Sequence, residues 1–503
     1  MTTSDLRRRL VELDAAIIDR KSALAELERD RATVESQLYA TSTFPVLTLP
    51  VEVVVEIFTM CLPTIEELRE DERKISERLE STAPTVFLGV CRTWRHIALS
   101  TPALWTTLSL GFDNIGDTVA AETKIEGFVE WWLNRAGLGP LSIAFRTRRR
   151  GLLLSAAVPL TLSGGPFTPS RMRDVIHRYA PRVEYLELEL PQEHMRHLRL
   201  DSAVFPLLRR ATLEDSGFSP LYDFNNPVAV FTNAPHLRDL HVIHWATLSY
   251  YTPPSSQLTR FEGKIDDLAL FTLAPNLTEA RCATGAFDAP TSMIIIHRRL
   301  KSLALVKSYI GTNPVDIIQH LTLPALQCLY VSDTDPDDTT NLSLFPFLLR
   351  SSPPLHTLAA RVNKDTASGM WEHCLPLLKT TLENLEVHSP SNDFHSIIWS
   401  SLDSFPRLHT LSFVDSAGVD YTALLRFLRE TTRPSRLAKL QSFSLVCRPG
   451  AFLEDRVGSF YGTKYCLDEI TTHLAMIANR GMDIHIAGAD KTYVKHVRST
   501  RVL

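Results

Sequence analysis

The chain has 503 residues, which by length allows about three domains and a sizeable core. With 44% hydrophobic and 22% charged residues it is neither disordered nor collagen-like, and it has no run of ~18 apolar residues to cross a bilayer. Lys and Arg number 53 against 57 Asp and Glu, and a formal net charge of −4 argues against a dedicated nucleic-acid binder. The amino end, MTTSDLRRRLVELDAA, lacks the apolar stretch of a signal peptide and is too acidic for a transit peptide. Seven Cys, an odd number with no CxxC pair, predict reduced thiols and hence a cytoplasmic and/or nuclear protein.

Residues 1–43 read as one helix with a seam. Alternating steps of four and three from Leu6 reach Leu10, Leu13, Ile17, Arg20, Leu24, Leu27, Arg31, Val34 and Leu38. Eight of these ten positions are apolar, and no Pro or Gly interrupts them. Such a stripe needs a partner helix. The expectation is a parallel homodimeric coiled coil through residues 6–38, the alternative an amphipathic helix laid on the chain's own body. Arg20 and Arg31 interrupt the seam and limit its stability.

Residues 44–112 read as a short helical module. Leu49 and Pro50 open a helix whose Val53, Val54, Ile57 and Phe58 are apolar on more than one face. A charged, helix-prone insertion near 63–84 follows, then Val90-Cys91-Arg92-Thr93-Trp94-Arg95-His96-Ile97-Ala98 and Thr101-Pro102-Ala103-Leu104-Trp105. The pattern Leu49-Pro50-x-Glu52-Val53-x-x-Glu56-Ile57-Phe58, with Val90-Cys91-Arg92-x-Trp94-Arg95-x-Ile97-Ala98, resembles an F-box. The tail resembles that of fungal F-box proteins. The insertion departs from the family by its length, which puts the pairing of the flanking helices in question. The resemblance implies three short helices docking on the adaptor subunit of a cullin–RING ubiquitin ligase. A module of this size cannot hide all its apolar surface. Leu49, Pro50, Val53, Ile57, Phe58, Val90 and Trp94 are therefore the expected adaptor-binding residues, with Phe58 and Trp94 as large anchors. The alternative is that these residues form an ordinary internal core. Cys61 and Cys91 are expected to be buried.

From about residue 113 a unit Pro-x-Leu-x-x-Leu-x-Leu recurs. Examples are Pro181 to Leu188, Pro206 to Leu213 and Pro235 to Val242, and Leu258-x-x-Phe261 is a degraded copy. The leading apolar residues stand at 183, 208, 237, 258, 277, 300, 326, 355, 382, 408 and 440, at intervals of 19 to 32 residues. This resembles an irregular leucine-rich-repeat array over 113–490, mostly without the Asn that ladders the turns in the stricter consensus. The implied fold class is an α/β solenoid: a coiled-coil helix, an F-box, then parallel strands with outer helices. Helix-prone pieces stand at 171–179, 228–233, 315–321, 345–350 and 424–430. Residues 126–145 read as an opening unit, 466–487 as a closing unit and 491–503 as a solvated basic tail. The positions flanking the second Leu of each unit would face a protein client. The charged first half is the weak favourite: Tyr185, Glu187, Arg210, Asp239, His241, Glu279 and Arg281.

No sequence feature carries chemistry of the chain's own. GxSxG, GxGxxG and GK[ST] are missing from the sequence. His194/His197 and His241/His244 lack supporting ligands, and Asp333–Asp338 lacks the Gly and Glu of a calcium loop, so no metal or cofactor is expected. The resulting expectation is a non-enzymatic substrate receptor that holds the adaptor, and through it the cullin, with the F-box and a protein client with the repeats. The rival is a coiled-coil repeat scaffold outside the ubiquitin system. Neither nucleic acid nor membrane is an expected partner.

Overall fold

The structure, a computed structural model, describes residues 3–41, 48–70, 82–111, 119–146, 169–190, 192–215, 227–285, 294–308, 314–332, 344–361, 367–388, 398, 404–416, 440–447, 483–487 and 492–496. The chain divides into two compact units. One is Met1–Trp105 with Leu133–Gly137, the other Thr106–Trp132 with Leu138–Leu503. Among the described residues no helix is long and apolar enough to cross a membrane.

The first unit is helical. Helix α1 (Thr3–Thr41) runs unbroken for 39 residues, with ion pairs Arg9–Glu12 and Arg31–Glu35 along it. Its described side chains from 6 to 38 are all exposed. Helix α2 (Val51–Met60) starts at Pro50, whose fixed φ of −52° and missing N–H suit a helix start. The Pro50 carbonyl accepts from the N–H of Val53 and Val54. Helix α3 (Ile65–Glu70) lies in the charged insertion and opens on a capping box. The Thr64 hydroxyl accepts from Glu67 N–H, and the Glu67 carboxylate accepts from Thr64 N–H at 2.7 Å. Helices α4 (Phe87–Val90) and α5 (Arg92–Ser100) meet at Cys91, whose Sγ accepts from Trp94 N–H at 3.4 Å. The α5 end is tied by Trp105, whose indole N–H donates to the Ala98 carbonyl at 2.8 Å.

Among the described residues the second unit is built on one sheet of 15 strands. In spatial order they are β1 (Thr107–Gly111), β2 (Leu141–Arg146), β3 (Val183–Glu189), β4 (Arg210–Asp215), β6 (Asp239–Thr247), β8 (Arg260–Ile265), β9 (Glu279–Thr284), β11 (Ser302–Lys307), β13 (Cys328–Ser332), β14 (Thr357–Arg361), β15 (Asn384–His388), β16 (Thr410–Ser416), β17 (Ser442–Cys447), β18 (Asp483–Ala487) and β19 (Thr492–His496). Two short pairs, β5 (Val228–Ala229) with β7 (Tyr251–Thr252) and β10 (Ile295–Ile296) with β12 (Leu321–Thr322), lie apart from the main sheet. All main-sheet pairings are parallel except β18 with β19. Spatial order follows chain order throughout.

The repeating unit explains this regularity. In β15 the two Leu-type residues, Leu385 and Val387, are buried and their neighbours are half-exposed, and β11 and β13 likewise hold Leu303 and Leu305, or Leu329 and Val331, inside. The leading residues Leu208, Leu237, Leu258, Leu277, Leu300, Leu326, Leu355, Leu382, Leu408 and Leu440 are buried where each chain segment turns into its strand. The turns are laddered without the consensus Asn. Thr259 N–H donates to Arg238 O, Thr278 to Thr259, Lys301 to Thr278, Gln327 to Lys301, His356 to Gln327, Glu383 to His356 and His409 to Glu383, at 2.7–2.9 Å. Backbone groups satisfy one another from unit to unit, so no Asn side chain is needed.

Several expectations change. Thr107–Gly111, inside the stretch read as the helical module, is a strand and the first of the sheet. Residues 228–233 are not helical: Val228–Ala229 form β5, and Phe231 has a positive φ of 55°. The basic tail is no simple tail, because Thr492–His496 form the antiparallel edge strand β19. Cys61 is exposed at the end of α2 and Cys91 is half-buried, because both are helix-cap positions and not interior ones. Helices are found at Pro169–Tyr179, Pro314–Ile318 and Phe345–Ser351. The expected helix at 424–430, the start of the closing unit at 466–482, the loop 333–338 and part of the charged insertion, 71–81, lie outside the described residues.

Candidate functional site

In the first unit the apolar residues of α2 face two ways. Val54 and Phe58, four residues apart, point into the unit. Phe58 is fully buried, stacked on Phe87 at a centroid distance of 4.0 Å and set edge-on to Trp94 at 4.9 Å. Phe87 also meets Trp94 edge-on at 6.1 Å. These three rings are the core that joins α2, α4 and α5. Phe58 is therefore not a surface anchor. Trp94 is half-buried, and its indole Nε1 is shut off from solvent without a hydrogen-bond partner. The anchor role expected of both rings gives way to a structural one.

The opposite face of α2 carries Val53, Ile57 and Met60, spaced four and three residues apart and 43%, 39% and 76% exposed. Val51, at the first turn of α2, is 54% exposed and Val90, at the end of α4, is 56% exposed. Pro50 is exposed and Leu49 half-buried. Of the seven expected adaptor-binding residues, Pro50, Val53, Ile57 and Val90 are exposed, Leu49 and Trp94 are partly so, and Phe58 is not. Val51 and Met60 were missed because each lies at an end of the helix, outside the quoted motif's apolar positions. An apolar surface of this kind has no polar chemistry to offer; it can only be covered.

In the second unit the expected client residues fall into two rows across β3 to β9. One row is Tyr185, Arg210, Asp239, Arg260 and Glu279, in register on successive strands. The other is Glu187, Thr212, His241, Glu262 and Arg281. The charges complement each other. Arg210 Nε donates to Asp239 Oδ2 at 3.1 Å, His241 Nε2 lies 2.9 Å from Asp239 Oδ1, and Arg260 Nε lies 3.1 Å from Glu279 Oε2. Arg281 Nε stands 3.6 Å from the same Glu279. Burial, the largest single influence on the Asp239 carboxyl, pushes its pKa up. The hydrogen bond from His241 and the charges of His241, Arg210 and Arg260 together outweigh it and hold the carboxyl below its ordinary value. Farther along, His388 hydrogen-bonds Glu386 at 2.5 Å and lowers that carboxyl against the opposing effect of burial.

Glu187 is a different case. It is fully buried and accepts from Arg146 Nε at 2.6 Å and from the Tyr185 hydroxyl at 2.7 Å. Arg146 is itself 2% exposed and reaches Ser109 on β1. Glu187 is thus withdrawn from any client, and Asp239 nearly so; both hold strands together. Arg260 and Glu262 belong to the rows but escaped the sequence reading, because their unit is the degraded copy. The most exposed charged side chains of the two rows are Arg210, Arg260, Glu262 and Arg281, while His241 and Glu279 are half-buried.

The thiols are inert where they are buried. Desolvation pushes Cys374 up to about 12 and raises Cys282 still more, so neither is a nucleophile at neutral pH. Among the described residues no group of three or more His, Cys, Asp and Glu side chains is placed to hold a metal ion. No protein-family model matches the chain, and no curated protein matches it.

Proposed function

We propose that this protein is a substrate receptor of a cullin–RING ubiquitin ligase. Its F-box-like helices would hold the adaptor, and through it the cullin. The strand array would be a leucine-rich-repeat solenoid that holds a protein client. The observation that carries the reading is the uncovered apolar face Val53–Ile57–Met60 with Val90 on the first unit. It lies in the segment whose sequence resembles an F-box, and a helix that is apolar on two faces needs a second surface to cover the outer one. The client side rests on Arg210, Arg260, Glu262 and Arg281, the most exposed charged side chains of the two rows. The chain itself does no chemistry. It raises the effective concentration of client lysines near a ubiquitin-charged enzyme held elsewhere in the assembly. The work is done in the cytoplasm or nucleus.

The test is co-purification with the adaptor. Wild type is expected to bind, and Val53→Asp/Ile57→Asp is expected to lose binding while its circular dichroism stays unchanged. A folded double variant that still binds, or a wild type that does not, overturns the proposal in favour of a scaffold outside the ubiquitin system.

A further inference from the structure

Helix α1 leaves its seam open. Leu6, Leu10, Leu13, Ile17, Leu24, Leu27, Val34 and Leu38 are between 47% and 66% exposed along a straight run that at 1.5 Å per residue extends about 58 Å. We infer that this seam is closed by the α1 helix of a second copy of the chain, running antiparallel.

The occupant and its direction follow from where the two Arg fall. In heptad terms Leu6, Leu13, Arg20, Leu27 and Val34 take the d positions and Leu10, Ile17, Leu24, Arg31 and Leu38 the a positions. A parallel pair in register stacks a on a and d on d. Arg20 then meets the partner's Arg20, with Lys21 of each chain beside them, and Arg31 meets the partner's Arg31. Both layers confine like charges in an apolar seam. Reversing one helix stacks a on d. Arg20 then lies against the partner's Leu24, and Arg31 against the partner's Leu13. Ile17 meets the partner's Leu27, and Leu6 at one end meets the partner's Leu38 at the other. No layer holds two Arg, and every Arg can lay its methylene stem on a Leu while its guanidinium reaches out to the edge.

The edge is suited to receive it. Arg31 Nε already donates to Glu35 of its own helix at 2.8 Å. In the reversed pair the partner's Asp14 comes to the same edge, and the partner's Arg7 comes opposite Glu35. Asp14 and Lys21 meet like charges farther along, at the partner's Glu28 and the partner's Lys21, but these positions are solvated and screened, whereas the seam layers are not. The same patch serves both chains about a twofold axis, which gives a closed dimer and no open chain of copies.

The inference stands whether or not the chain is a ligase receptor, and the experiment reads only the helix. The full-length protein at micromolar concentration is expected to have twice its monomer mass by light scattering, and Ile17→Asp/Leu27→Asp is expected to halve it. A photo-reactive Leu6→p-benzoylphenylalanine chain is expected to cross-link, between copies, to residues near 38. Mixing Arg31→Glu with wild type is expected to give no more than statistical heterodimer, since in the reversed pair Arg31 and the partner's Arg31 stand about 27 Å apart along the seam at 1.5 Å per residue. A monomeric wild type, a dimer that survives the double Asp variant, cross-linking of position 6 to the region of position 6, or preferred Arg31→Glu/wild-type pairing overturns the antiparallel seam.

Discussion

The two faces of α2 make opposite demands on stability, and two truncations a turn apart separate them. Phe58 has no solvent exposure and packs its ring face on Phe87 and its side on Trp94. Phe58→Ala removes the ring from between α2, α4 and α5, which cannot collapse onto the space without unstacking Phe87. The cost expected for a buried Phe is about 3–5 kcal/mol, and the stacked and edge-on geometry places it toward the upper part of that range. Val53→Ala, on the 43% exposed side, gives up two methyls that are already half in water. Ala's better helix propensity offsets much of that loss, leaving about 0.5 kcal/mol or less. The readout is hydrogen exchange of the peptides covering 51–60 and 87–100, which reports local opening without requiring the two units to unfold together. Phe58→Ala is expected to speed exchange there by about a hundred- to a few thousand-fold, the factor that corresponds to that free energy. Val53→Ala is expected to change it by less than about threefold. Equal effects of the two, or a Phe58→Ala protein with undiminished protection, would refute the assignment of inner and outer faces.

Two further outcomes follow from the sheet. Glu187→Ala strands the Arg146 guanidinium in the interior and is expected to cost about 3–5 kcal/mol in chemical denaturation, whereas Arg146→Met/Glu187→Leu restores most of it; a neutral Glu187→Ala would show that the pair is not buried as described. Asp239 has a carboxyl held below its ordinary value, so the unfolded chain takes up its proton first and the stabilisation is present above the ordinary carboxylate pKa of about 4. It is lost as pH falls through and below that value. Asp239→Asn is therefore expected to melt below wild type at pH 7, with the gap narrowing once pH drops under about 4; a gap that widens on acidification would contradict the ladder.

The main-sheet strands were legible wherever the unit was complete, since Leu-x-x-Leu-x-Leu states both the period of the strand and the turn before it. Where it was incomplete, a physical reason stands behind the gap. Gly263 takes the place of the last Leu in the unit of β8 because the neighbouring β6 bulges; a Cβ there would meet the Val242 carbonyl oxygen at 2.7 Å. That loss disguised the unit and hid Arg260 and Glu262 with it. Strand β1 was disguised because its leading Pro102-Ala103-Leu104 belongs to the F-box-like tail and stands one residue too far from Leu108 for the unit, and β19 was passed over for its Lys495 although Val494 alternates with it. In α2 the periodicity could not choose a face, because apart from the Glu52–Glu56–Thr59 side the helix is apolar on more than one face. The partner of Glu187 was invisible for another reason: Arg146 lies 41 residues away in sequence and meets it only when β2 pairs with β3.

A sheet whose spatial order copies its chain order also has a history built into it. Each strand of the array finds its docking edge already made by the strand before, so assembly needs no return to distant segments. At ~5–20 residues per second of synthesis, a unit of some two dozen residues leaves the ribosome every few seconds, far longer than such a short closure takes. Growth can keep step with translation, and the border that is being extended at any moment is the newest strand.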